Sequence, residues 1–74
     1  MDLDALFDMA RTAESEGDYE KAVSSYSAAA DRDHAGSQCA LAELYMSGRG
    51  VEKDHVRGRM LFQAAAELGS AEAL

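Results

Sequence analysis

Two stretches of this chain repeat each other. Lys21-Ala22-Val23-Ser24-Ser25-Tyr26-Ser27-Ala28-Ala29-Ala30-Asp31 aligns with Arg57-Gly58-Arg59-Met60-Leu61-Phe62-Gln63-Ala64-Ala65-Ala66-Glu67 at a constant offset of 36. The segment before each block repeats as well, at offset 32, so that Met9-Ala10 falls on Leu41-Ala42 and Ala13 on Tyr45. The second unit therefore carries four extra residues between its halves, within Gly48-Arg49-Gly50-Val51-Glu52-Lys53, which the glycines mark as a loop. Periodicity of this length restricts the fold to stacked repeats, because each unit buries its apolar face against a neighbour.

Each half-unit carries apolar residues at helical spacing. Leu3, Leu6, Met9, Ala10 and Ala13 form the first stripe, and Tyr19, Ala22, Val23, Tyr26, Ala29 and Ala30 the second. Ala40, Leu41, Leu44 and Tyr45 form the third, and Met60, Leu61, Ala64, Ala65 and Leu68 the fourth. Gly17-Asp18 closes one helix and caps the next, Asp33-His34-Ala35-Gly36 is a break, and Asp54 caps the fourth helix. Leu68-Gly69 is expected to end that helix, with residues 70–74 opening a further one.

Short connections make consecutive helices antiparallel. The expected fold is all-α, an α-solenoid of two helix-turn-helix repeats in one domain spanning residues 1–74. Repeat 1 covers about residues 3–34, repeat 2 about 35–69, and a C-terminal stub follows. Leu, Val and Phe number twelve of 74 residues, with no Ile. That is about 16%, low for a globular core. Fifteen Ala residues offset this, since small side chains let helices pack closely and Ala is the best helix former.

The residues also carry a resemblance. The first unit resembles a tetratricopeptide repeat through Leu6, Met9, Ala10, Ala13, Gly17, Ala22, Tyr26 and Ala29. It departs from that pattern at His34, where Pro is common, and at Ala13, where an aromatic residue is usual. The second unit resembles the related Sel-one-like repeat. Leu41-Ala42-Glu43-Leu44-Tyr45-Met46-Ser47-Gly48-Arg49-Gly50-Val51 carries that likeness, followed by Asp54, Arg57, Ala65-Ala66 and Gly69. Gly58 replaces the Ala usual there, and by propensity alone it weakens the fourth helix by up to about 1 kcal/mol.

The resemblance implies a non-enzymatic adaptor that binds a protein or peptide on a concave face lined by the first helix of each pair. Carried over position by position, that groove holds Asp4, Phe7, Arg11 and Glu14 (with Ser15) in the first unit. In the second it holds Cys39, Glu43 and Met46, flanked by Gly36 and Ser47. Phe7 with a nearby Arg and a soft Met is the kind of set that anchors a partner. The plainer alternatives are that Phe7 and Met46 simply cover the edge of a small core and that Cys39 is inert.

Seven Lys+Arg against fourteen Asp+Glu give a net charge of −7, which repels phosphate backbones and argues against nucleic acid. Within this balance Arg49, Lys53, Arg57 and Arg59 gather around the loop and the fourth helix, while Asp2, Asp4, Asp8, Glu14 and Glu16 gather at the start. This gradient is read either as solvation, as steering of a basic partner, or as head-to-tail association of copies. A self-associating subunit would bury Leu61, Phe62 and Leu68 between chains, and a homodimer is expected over a monomer. Another alternative is the N-terminal fragment of a longer repeat scaffold. A weaker one is a small acidic inhibitor of a larger enzyme.

Catalytic signals are lacking. His34, His55 and Cys39 match no metal-ligand spacing and are expected to be ordinary surface residues. Gly48-x-Gly50 lacks the strand and Lys of a phosphate loop, and no nucleophile motif accompanies any Ser or His. No metal or cofactor is expected. The chain has no apolar run near the roughly 18 residues of a membrane span, no secretory leader at Met1-Asp2-Leu3-Asp4, and one Cys. These features lead to the expectation of a cytoplasmic protein.

Overall fold

The computed structural model describes residues 2–73, with side chains through residue 69. It contains four helices: α1 (Leu3–Ser15), α2 (Tyr19–Ala30), α3 (Ala35–Ser47) and α4 (His55–Ala73). No strand occurs among the described residues. Helix α1 packs on α2, α2 on α3 and α3 on α4, giving the all-α solenoid expected from the repeats. The two offsets reappear as geometry. Helix α3 begins 32 residues after α1 and has the same 13-residue length, and α4 begins 36 residues after α2.

The helix ends follow from local chemistry. Gly17 takes a φ of +81° after α1, and the Asp18 carboxylate accepts from the Lys21 amide at 3.2 Å to start α2. Asp54 does the same for α4, accepting from the Arg57 amide at 3.0 Å. Each cap satisfies an amide that the first turn leaves without a partner. Helix α3 starts earlier in the break than expected. Ala35 and Gly36 are already helical, and His34 is the cap.

The core is small and Ala-rich. Ala10, Ala13, Ala22, Tyr26, Ala30, Leu41 and Leu44 form one buried cluster, with Phe7, Tyr19, Val23, Ala40, Tyr45 and Leu61 packed around it. Tyr26 and Leu44 are the largest fully buried side chains. Gln38 is also buried. Its Nε2 donates to the Ala30 carbonyl at 3.2 Å, while its Oε1 has no partner among the described residues.

Three sequence expectations change here. Helix α4 runs unbroken through Gly69 to Ala73, so residues 70–73 extend it instead of opening a fifth helix. Leu74 lies outside the described residues. Gly58 is buried, and a Cβ placed on it would meet Met46 Sδ at 2.7 Å and the Ala42 carbonyl oxygen at 3.2 Å. Its missing side chain lets α3 and α4 approach, a gain that helix propensity alone does not register. Leu61 packs against the core cluster and Leu68 is half-buried. The exposed large apolar residues of α4 are Val56, Met60 and Phe62, so of the expected self-association trio only Phe62 is exposed.

Candidate functional site

The α1 stripe Asp4, Phe7, Arg11 and Glu14 runs along one side of that helix, as spacings of three and four residues require. Phe7 is half-buried. Its ring centroid lies 5.7 Å from that of Tyr26 on α2 and 5.2 Å from that of His34 before α3. The Arg11 guanidinium lies over the same ring, 5.7 Å from its centroid. A Cβ on Gly36 would stand 3.5 Å from the Phe7 ring, so Phe7 bridges α1 to the first turn of α3. The expected residues of the first unit therefore lie along one side of α1, with Phe7 half-buried at the edge of the core.

Tyr26 forms the floor of that surface. Its ring is 1% exposed, and its hydroxyl donates to Glu14 Oε1 at 2.8 Å. Burial, the Glu14 hydrogen bond and the Glu14 charge all raise the phenol pKa well above its ordinary value. The Glu43 charge adds to this and Arg11 opposes it. Arg11, Glu14 and Glu43 thus share one electrostatic neighbourhood around a phenol that stays protonated.

His34 was not singled out by sequence beyond an ordinary surface role, and the structure gives it three contacts. Its Nδ1 accepts from the Ser37 amide at 3.1 Å and lies 2.8 Å from Ser37 Oγ. Accepting at Nδ1 places the proton of the neutral ring on Nε2, and that atom faces Asp4 Oδ1 at 3.4 Å. His34 therefore joins the α3 cap to the start of α1. The missed signal was its position directly before a helix start, where a short hydrogen-bond acceptor is the usual choice. His55, by contrast, is exposed as expected.

The expected residues of the second unit are more scattered in role. Cys39 is an exposed free thiol, and Glu43 is exposed one turn on. Met46 is half-buried and packs toward Gly58 of α4. Sequence reasoning also missed a cleft of about 450 Å³ at the α3–α4 loop, lined by Tyr45, Val51, Glu52, Lys53, Asp54 and Arg57. Arg57 lies over the Tyr45 ring there, 5.6 Å from its centroid. Among the described residues no three His, Cys, Asp or Glu side chains cluster to hold a metal, and no helix is long and apolar enough to cross a membrane.

The chain matches the Sel1 repeat over residues 4–34 and again over residues 35–70. The chain belongs to the Sel1 repeat family. The two matched units meet between His34 and Ala35, which is also where α3 begins. Sel1 repeats generally mediate protein–protein interaction and are generally non-catalytic scaffolds. The chain is 36% identical over 64 residues to an exopolysaccharide production negative regulator of Rhizobium leguminosarum bv. viciae. That alignment covers 86% of the chain and 24% of the relative, so the two Sel1 repeats span about a quarter of that protein's length. No solved structure gives a significant match.

Proposed function

We propose that these two Sel1 repeats form an adaptor module that binds a protein or peptide across the face shared by α1 and α3. The observation that supports this most directly is the Phe7 ring, half-buried between Tyr26, His34 and Arg11 at the junction of the two helices. A rigid aromatic beside an Arg, backed by a buried phenol, offers a partner an anchor that is already ordered. Asp4, Glu14 and Glu43 outnumber Arg11 on this face, which favours a basic partner. The reading includes no catalysis and places the module in the cytoplasm. The Rhizobium relative is a negative regulator, a role that binding can carry out without chemistry.

A peptide-display selection against the whole chain tests the reading. Selected peptides are expected to lose about tenfold or more in affinity on Phe7→Ala or Arg11→Ala. Peptides that bind both variants as tightly as the parent would place the contact elsewhere and overturn it.

A further inference from the structure

The two repeats meet at an interface whose two halves recur, exposed among the described residues, on α1 and α4. Inside the chain, Tyr26 of α2, held against Phe7 and Glu14 of α1, is buried in one cluster with Leu41 and Leu44 of α3, and the three are 1%, 5% and 2% exposed. The offset of 36 carries Tyr26 to Phe62, and the offset of 32 carries Leu41 and Leu44 back to Met9 and Thr12. Phe62 and Met9 are 37% and 42% exposed. The first repeat therefore shows the surface that α2 covers on the second. The second repeat shows, at Phe62, the position that the shared cluster buries on the first.

Two further observations fit these surfaces to each other. A cleft of about 260 Å³ lined by Asp8, Met9, Thr12, Ala13, Glu16 and Lys21 opens on the first repeat. Four of those positions map onto Ala40, Leu41, Leu44 and Tyr45, all packed in the cluster around Tyr26. The charges are also complementary. Two acids, Asp8 and Glu16, outnumber the one base, Lys21, around the cleft, while α4 carries the exposed Arg59 where α2 has the half-buried Val23.

We infer that a second copy of this chain docks its α1 cleft onto α4, head to tail, repeating the α2–α3 junction between molecules. Phe62 enters the cleft against Met9 and Thr12, and Arg59 faces the acids at its edge. This contact is heterologous, so every assembly keeps one free face of each kind and grows by addition. It uses residues other than those of the α1–α3 face, and it stands or falls independently of a groove partner.

The test is sedimentation equilibrium of the whole chain with Met9→Glu and Phe62→Glu, each checked for helicity by circular dichroism. The parent is expected to associate with rising concentration and to do so less at high salt. Each variant alone is expected to be monomeric, because each lacks one face. An equimolar mixture is expected to form a one-to-one pair and stop, since Met9→Glu retains the α4 face and Phe62→Glu retains the cleft. A parent that stays monomeric, a Met9→Glu protein that self-associates as the parent does, or a mixture that stays monomeric would each overturn the inference. If either substitution unfolds the chain, the exposed pair Asp8→Arg and Arg59→Glu replaces it. Each is expected to weaken association about tenfold, with the mixture restoring it, and no weakening by either again overturns the inference.

Discussion

Gly50 stands directly against the backbone of Tyr19: a Cβ placed on it would meet the Tyr19 carbonyl oxygen at 2.5 Å. The same glycine takes a φ of +74°, so two separate constraints exclude a side chain. Arg49 lies over the Tyr19 ring beside it, 5.6 Å from the centroid. The α3–α4 loop is thereby folded back onto the start of α2.

Gly50→Ala is expected to cost about 3 kcal/mol, combining left-handed backbone strain with overpacking against main chain. Gly17 supplies the control. Its φ is +81°, yet nothing lies within 4 Å of a Cβ placed there, so Gly17→Ala is expected to cost only about 1 kcal/mol. Urea denaturation of the two variants measures the difference. Equal losses would show that the Tyr19 contact contributes nothing.

Gly58→Ala sets helix propensity against packing. Propensity favours Ala by about 1 kcal/mol, whereas the added methyl would crowd Met46 Sδ and the Ala42 carbonyl oxygen. The substitution is expected to destabilise the parent and to become neutral or favourable in a Met46→Ala background. A double-mutant cycle read by thermal unfolding is expected to give a coupling of about 1 kcal/mol.

Tyr26→Phe removes the hydrogen bond to Glu14 and is expected to cost about 1–2 kcal/mol near neutral pH. The folded state holds the Tyr26 phenol pKa above its ordinary value. The associated stability is therefore complete below about pH 10, where a free tyrosine is still protonated. It declines as alkali removes that proton from the unfolded chain first. Parent stability is expected to fall more steeply above pH 10 than that of Tyr26→Phe, as urea denaturation across that range would record. Parallel declines would assign the alkaline loss to other groups.

His34→Ala is expected to cost about 1 kcal/mol by uncapping α3, and also to loosen the contact with Phe7. His34→Asn keeps a cap acceptor but loses most of the ring packing, so it is expected to recover part of the loss. Amide exchange at Ser37 separates the two effects, with protection returning in the Asn variant and not in the Ala variant.

The positions of the four helices were legible because their determinants are local: apolar spacing, Asp18 and Asp54 as caps, and Gly17 as a stop. The paired offsets also locate the longer loop of the second repeat from sequence alone. Features that depend on which surfaces meet were not legible. Propensity marked Gly58 as a weakness, whereas its value comes from a neighbour on another helix. His34 looked like a loop residue because a ring nitrogen can cap only when the turn aims it at the Ser37 amide. Phe62 is exposed on α4, whereas Leu61, next to it in sequence, packs on the chain's own core, since residues one position apart on a helix face different ways. Glycine at position 69 was expected to stop α4, yet the helix continues through it, because a glycine in helical conformation costs propensity without breaking the hydrogen-bond ladder.

The return of the α3–α4 loop to Tyr19 bears on how the molecule comes apart. In a plain stack of repeats each unit touches the next through helix faces alone, and an end unit can detach while its neighbour stays folded. Here Gly50 and Arg49 of the second repeat also grip the first turn of α2. Melting either repeat breaks that clasp as well as the core cluster the two share, so the loop adds a second tie that holds the two units to a single cooperative transition.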